Sequence, residues 1–197
     1  FDSTRELPLN VTMAIQRDLS QIDPAPFQYI QAYTKSPDLV SHKVRGHVGP
    51  IPGAYHMIYG HLPVPEATVA EVLQGARKTL ERNTNFIANT SEDLLGHGGG
   101  RLERSIRFMC TDVWPTLYSM LTLRAEQPLA IWRLPKEAAI ARLLEDEPAG
   151  TAIRQFYHRV YAYYNSDHSL ESALAVIEQG VEFLQAADLW YREEYAQ

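Results

Sequence analysis

The chain has 197 residues, of which 45% are apolar, and a formal net charge of −6. A chain of that length buries roughly 70% of its unfolded surface, so folding needs neither a metal nor a disulfide. The negative charge and the lack of a lysine–arginine cluster argue against a nucleic-acid partner. The sequence contains no run of about 18 apolar residues, so no membrane insertion is predicted. No signal peptide is visible, but processing removes such segments, so the compartment stays open, with a soluble, cytoplasmic protein slightly favoured.

The first 65 residues predict short helices separated by breaks. Asn10 is a candidate N-cap for a helix that ends near Ile22, and the pairs Asp23-Pro24 and Ser36-Pro37 are candidate helix starts. Glycine and proline are dense from about residue 46 to residue 65, so we expect an irregular connection there. No strand pair or hairpin turn is predicted.

A long antiparallel helical hairpin is predicted in the middle of the chain. Apolar residues recur at three- and four-residue steps over about 65–95 and again over about 101–123. Gly96 is a candidate left-handed residue that ends the first helix. Pro115 lies within the second stripe and predicts a kink or a fresh helix start.

Three further helices are predicted toward the end of the chain. Pro135 fits the first position of a short helix. A helix with an aromatic face follows and ends near Asn165, and a long last helix can be capped by Asp167 or Ser169. The sequence therefore predicts an all-α, single-domain bundle of six or seven helices covering residues 1–197.

Polar residues interrupt the first helix of the predicted hairpin. Thr84, Asn85 and Ser91 are poorer helix formers than leucine or alanine. Thr84 and Ser91 fall on the predicted buried stripe, where polar groups must find hydrogen bonds. These residues therefore either line a site for a polar ligand or lie on a stretch of helix that projects into solvent.

An arginine series follows the glycine-rich link between the two hairpin helices. Arg101, Arg104 and Arg107 recur every three residues, directly after the segment Gly96–Gly100. Backbone N–H groups at a helix start attract anions, and glycines allow close approach. The pattern predicts a phosphate or carboxylate site that includes Arg101 and Arg104. The alternative is a flexible turn with solvated arginines.

The penultimate helix carries a dense aromatic face. Tyr157 and Tyr161 lie on it beside Arg154 and His158. Such a face suits an aromatic ligand, a protein interface or simply the hydrophobic core. We expect it to face the polar stretch of the hairpin across a ligand pocket.

Three functions are compatible with these features. The preferred hypothesis is a sensory or regulatory domain that binds a small aromatic or anionic molecule. The second is a haem- or metal-dependent, oxygenase-type enzyme with His97 as its ligand. The third is an oligomeric interaction or structural subunit, such as a homodimer, that pairs through the aromatic helix.

Overall fold

A computed structural model gives the structure of the protein and describes residues 10–17, 28–35, 51–54, 66–97 and 101–195. Contacts divide the chain into two compact units, residues 1–68 and 69–197. The single-domain organisation inferred from the sequence stays a prediction.

The first unit contains a two-stranded antiparallel sheet. Strand β1 (Asn10–Arg17) pairs with strand β2 (Gln28–Lys35), and Asn10 lies opposite Lys35. The helix predicted to run from Asn10 to Ile22 is therefore wrong over β1. Large apolar residues occupy alternate positions of β1, which is the period of a strand rather than of a helix. The helix starts predicted near residues 23 and 36 lie outside the described residues.

The second unit is a helical bundle. Its described part contains seven helices, which are α1 (Val69–Leu80), α2 (Asn83–His97), α3 (Leu102–Arg124), α4 (Pro128–Ile131), α5 (Lys136–Ile140), α6 (Pro148–Asn165) and α7 (Leu170–Tyr195). All regular structure over residues 66–97 and 101–195 is helical, which confirms the all-α fold class for this unit. The helix α4 was not predicted from the sequence.

The first helix of the predicted hairpin is in fact two helices. A turn at Glu81 and Arg82 separates α1 from α2, because three consecutive poor helix formers begin at Asn83. The side chain of Asn83 is fully buried, and its Oδ1 accepts a hydrogen bond of 3.0 Å from Thr116 on α3. Gly96 lies within α2 and has no positive φ, so the predicted left-handed helix end is also wrong.

Helix α3 is the centre of the bundle. It is one helix that continues through Pro115, so the predicted fresh start at that residue is wrong. Its buried face includes Ile106, Met109, Val113 and Leu117, and it packs against α1 and α7. Helix α6 packs mainly on α7. The helices of the described residues include none that is both long and apolar enough to cross a bilayer.

Candidate functional site

The polar stretch of α2 does not form the pocket expected from the sequence. Thr84, Asn85 and Ser91 are exposed. Thr84 accepts a hydrogen bond of 3.1 Å from Arg192, and Ser91 donates to the Ile87 carbonyl of its own helix at 3.2 Å. The expectation that Thr84 and Ser91 lie on a buried stripe is therefore wrong.

Thr84 and Ser91 are exposed because the helix is broken between α1 and α2. The predicted stripe assumed one uninterrupted helix, which would bury Thr84 one turn after Leu80. The turn at residues 81–82 changes the helical phase and turns Asn83 into the core instead. Helix α2 then packs on α7 and α3. The ligand-binding roles of Thr84, Asn85 and Ser91 stay predictions.

The aromatic face of α6 is largely used by the core. The rings of Phe156 and Tyr163 are buried, and the ring of Trp114 on α3 makes T-shaped contacts with those of Phe156 and Tyr157. The hydroxyl of Tyr157 donates a hydrogen bond of 2.6 Å to Glu137 on α5. This contact holds α5 against α6.

The remaining predicted residues of α6 lie at different depths. Tyr161 is half-buried, and His158 is exposed with its ring 6.1 Å from that of Tyr157. The aromatic face therefore presents no continuous exposed ring surface among the described residues. The predictions of a homodimer and of a ligand site here stay untested.

Arg154 is engaged with the backbone. Its guanidinium donates to the carbonyl oxygens of Leu143 (2.6 Å), Gly150 (2.7 Å) and Leu144 (3.3 Å). The contacts with Leu143 and Leu144 satisfy carbonyls at the turn that leads into α6, where helical hydrogen bonds are interrupted, and Gly150 lies in the first turn of α6. Arg154 therefore stabilises this junction, and its ligand-binding role stays a prediction.

His97, the predicted haem or metal ligand, is the last residue of α2, and its side chain lies outside the described residues. Within residues 66–97 and 101–195, no three metal-ligating side chains converge. The metal hypothesis therefore stays a prediction.

The candidate site is a groove between the first turns of α3 and α7, which we call the arginine groove. Its volume is about 490 Å³. The lining residues are Arg101, Leu102, Glu103, Arg104, Arg107, Tyr163, His168, Ser169, Leu170 and Ala173. Two of the predicted ligand-binding residues, Arg101 and Arg104, are thus brought together.

Helices α3 and α7 begin at the same end of the bundle. Gly180 of α7 lies against Met109 of α3, with room for no side chain between them. Seven residues earlier on each helix, Leu102 and Ala173 both line the arginine groove. The two helices therefore run parallel, and the positive ends of both dipoles point toward the groove.

The two helix starts offer backbone donors to the groove. Arg101, at the N-cap of α3, makes no side-chain hydrogen bond to the first turn of that helix. At the start of α7, Ser169 Oγ accepts from the Ser172 amide at 3.1 Å, and Asp167 accepts from the Ser169 amide at 2.9 Å. The first-turn amides of Leu170 and Glu171 come before the capped one and have no partner within a helix.

Three guanidinium groups give the groove its charge. Arg101, Arg104 and Arg107 are exposed, and Arg104 lies 5.1 Å from the centre of the Phe108 ring. Arg107 forms an ion pair with Glu103 one turn earlier. The hydrogen bond that Arg107 donates to that carboxylate raises the pKa of Arg107, so its positive charge is retained.

The floor of the groove is apolar and uncharged. Leu102 and Ala173 are buried, and the buried ring of Tyr163 lies 5.1 Å from that of His168. Burial, with a smaller contribution from the Glu103 charge, raises the pKa of the Tyr163 phenol. This phenol is therefore neutral at physiological pH and does not oppose a bound anion.

The sequence revealed one side of this groove. Arg101, Arg104 and Arg107 follow a visible three-residue spacing, but the second side, from Tyr163 to Ala173, was missed. The predicted cap at Ser169 was a usable signal, because it fixes where the first turn of α7 begins. Nothing in the sequence spacing shows that this turn lies beside Arg104.

The comparisons with known proteins leave the site to be judged on its own geometry. No family model matches the chain, and neither a curated protein nor a solved structure matches it.

Proposed function

We propose that the helical unit is a sensory or regulatory domain that binds a small anionic molecule in the arginine groove. The observation that carries the proposal is the convergence of three arginines with the starts of two parallel helices around one groove of about 490 Å³. A volume between about 300 and 1,000 Å³ is typical of small-molecule sites.

The charge of the groove differs in sign from that of the whole chain. The chain has a formal charge of −6. The groove lining contains three arginines and one glutamate, so it is richer in basic than in acidic residues. A local reversal of charge favours an anionic ligand, because stability alone gives no reason to gather like charges.

The parallel helices add to this preference. The N-terminal ends of α3 and α7 lie side by side at the groove, and the partial positive charges of the two helix dipoles repel each other. An anion that accepts hydrogen bonds from both first turns removes that repulsion and satisfies amides that lack helical partners. The helix dipoles and backbone amides thus favour anion binding even without the arginine side chains.

Isothermal titration with inorganic phosphate and with pyrophosphate, at constant ionic strength, tests the proposal. The variant Arg101→Ala/Arg104→Ala removes two groove charges. Its matched control, Arg82→Ala/Arg142→Ala, removes two exposed arginines outside the groove lining and keeps the same net charge. A hydrogen bond to a charged group contributes about 1.5 kcal/mol or more, so we expect the groove variant to lose at least about tenfold in affinity.

The control variant should bind both ions as the wild type does. Equal losses in the two double variants would show that the ions respond to total charge and not to the groove. Absence of binding of both ions to the wild type would contradict the proposed function.

A further inference from the structure

Helix α2 is attached to the bundle by fewer buried side chains than its neighbour α1. It has 15 residues, and Asn83 is the one buried side chain among those that the structure describes. The shorter helix α1 buries Val72, Ala76 and Leu80, whereas Leu95 near the end of α2 is 88% exposed. Because packing of an apolar face supplies most of a helix's stability in a protein, the bundle stabilises α2 less than α1.

The buried anchor of α2 is polar. Oδ1 of Asn83 accepts a hydrogen bond of 3.0 Å from Thr116, but Nδ2 of the same side chain is buried without a hydrogen-bond partner among the described residues. A buried donor without a partner opposes folding, because it loses the hydrogen bonds that it makes in water. The anchor therefore holds α2 less firmly than a buried apolar side chain of similar size.

The side-chain hydrogen bonds from α2 to α7 lie at the surface. Thr84 Oγ1 accepts from Arg192 at 3.1 Å and donates to Asp188 at 3.5 Å. Exposed polar contacts of this kind contribute little to stability, since water competes for both partners. Further along α2, the hydroxyls of Thr90 and Ser91 donate to carbonyls of α2 itself.

The backbone hydrogen bonds of α1 and α2 are separate. The amides of Glu81 and Arg82 close the last turn of α1, with bonds of 2.9 and 3.1 Å to carbonyls of that helix. The bonds of α2 begin at the Arg82 carbonyl, which accepts from the amides of Asn85 and Phe86 at 2.9 and 3.1 Å. Loss of α2 therefore leaves the hydrogen bonds of α1 intact.

The sequence of α2 does not favour a helix in isolation. Isolated helices shorter than about 12–15 residues are marginal in water even when they are rich in alanine. Helix α2 contains three asparagines, two threonines and one serine, which are poorer helix formers. A released α2 therefore loses its helical structure instead of moving out as a rigid rod.

We propose that α2 is an order–disorder switch. It leaves α3 and α7 and unfolds locally, whereas α1, α3 and α7 stay folded. Opening uncovers Thr116 and the surfaces of α3 and α7 on which α2 packs. Segments of this kind serve as regulatory switches, because a ligand or partner that favours one state shifts the population. This switch does not require anion binding in the arginine groove.

Hydrogen exchange of the ¹⁵N-labelled full chain measures the opening of each helix. Local opening needs less free energy than global unfolding, so we expect the amides of residues 87–94 to exchange at least about 100-fold faster than those of residues 116–121 in α3. Low concentrations of urea should accelerate exchange in α3 more than in α2, since local opening exposes less surface. Equal exchange rates in the two helices would overturn the proposal.

Two matched threonine variants test the anchor. Thr116→Val removes the hydrogen bond to Asn83, which is lost when α2 opens, so exchange in α2 should rise about fivefold. Thr122→Val changes another buried threonine of α3, whose hydroxyl bonds to the Tyr118 carbonyl of its own helix. That bond survives opening, so exchange in α2 should stay unchanged. Equal acceleration of α2 by both variants, or by neither, would contradict the switch.

A second pair of variants tests whether the released segment unfolds. Asn89→Ala/Ser91→Ala places better helix formers at two exposed positions of α2 and should slow its exchange about fivefold. The control Gln155→Ala/Gln185→Ala makes the same kind of change on exposed positions of α6 and α7 and should leave exchange in α2 unchanged. If Asn89→Ala/Ser91→Ala had no effect, α2 would leave the bundle as an intact helix, and the order–disorder switch would be wrong.

Discussion

Helices α3 and α7 meet in two regions that differ in character, although the helices are the same. In the closed region, Gly180 allows the Met109 side chain to lie directly on the backbone of α7. In the open region, two turns earlier, the long side chains of Arg101 and Arg104 surround the arginine groove. Gly180, which has no side chain, lets α3 and α7 pack closely. The long charged side chains of Arg101 and Arg104 keep the two helices apart at the groove.

Close packing and positive charge therefore lie at different positions along the same pair of helices. The closed region supplies stability through buried contact. The open region concentrates positive charge and incompletely bonded helix ends, which reduces stability and provides binding. Substitutions should therefore affect stability in the closed region and affinity in the open one.

The largest stability effect is expected for Gly180→Leu. A Cβ at this position would lie 2.3 Å from Cγ of Met109, so the larger side chain must separate the helices. Overpacking of a core typically costs 1–3 kcal/mol, and we expect about 3 kcal/mol in the free energy of unfolding, measured by urea denaturation. Gly96→Leu is the control, because a Cβ at Gly96 meets nothing within 4 Å. Its effect should stay within about 0.5 kcal/mol. Equal losses of stability from the two substitutions would contradict the close packing of α3 on α7 at Gly180.

A second prediction sharpens the difference between arginines that hold the fold and arginines that hold a ligand. Arg154→Ala removes hydrogen bonds to three backbone carbonyls. We expect a loss of about 2 kcal/mol in the free energy of unfolding, with phosphate affinity unchanged. Arg104→Ala should cost less than about 1 kcal/mol and weaken phosphate binding. The assignment is wrong if the two variants exchange these effects.

The smallest effect is expected at Asp112, on α3 just beyond the closed region. Burial raises the pKa of this half-buried carboxyl to about 6. Because the folded-state pKa lies above the unfolded value, the protonated group contributes stability below about pH 4, and that contribution is lost as pH rises through 6.

The substitution Asp112→Asn should therefore raise the melting temperature at pH 8, and its advantage should shrink as pH falls to 4. Asp146→Asn, at an exposed aspartate, serves as the control and should follow the wild-type curve at every pH. If the stabilising effect of Asp112→Asn grew toward low pH, the raised pKa of Asp112 would be contradicted.

Much of the helical unit could be predicted from hydrophobic periodicity. The stripe of α3 is confirmed, because it is continuous and Ile106, Met109, Val113 and Leu117 all pack in the core. The stripe of α1 and α2 was misread, because the break at residues 81–82 depends on burial of Asn83 beside Thr116. That contact joins residues that are far apart in the chain, so no local pattern reveals it. The sequence of β1 is ambiguous, because Asn10 fits a helix N-cap while the apolar residues that follow it alternate as in a strand.

The site was only half predictable for a similar reason. Arg101 and Arg104 belong to one helix start and could be read from local spacing. Arg154 has the same side chain on a helix, yet its partners are the carbonyls of a turn, which are invisible in the sequence. Tyr163 of α6 and Leu170 of α7 join the groove only through the packing of these helices beside α3. Local patterns therefore predict donors, whereas tertiary packing decides what those donors face.

The most direct test of the central claim is a titration of the ¹⁵N-labelled protein with inorganic phosphate, followed by amide chemical shifts. The account predicts saturable shifts at the first turns of α3 and α7, including the amides of Leu102, Leu170 and Glu171, with Arg82 and Arg142 unaffected. Shifts spread over exposed arginines elsewhere, with the first turns of α3 and α7 unmoved, would contradict it.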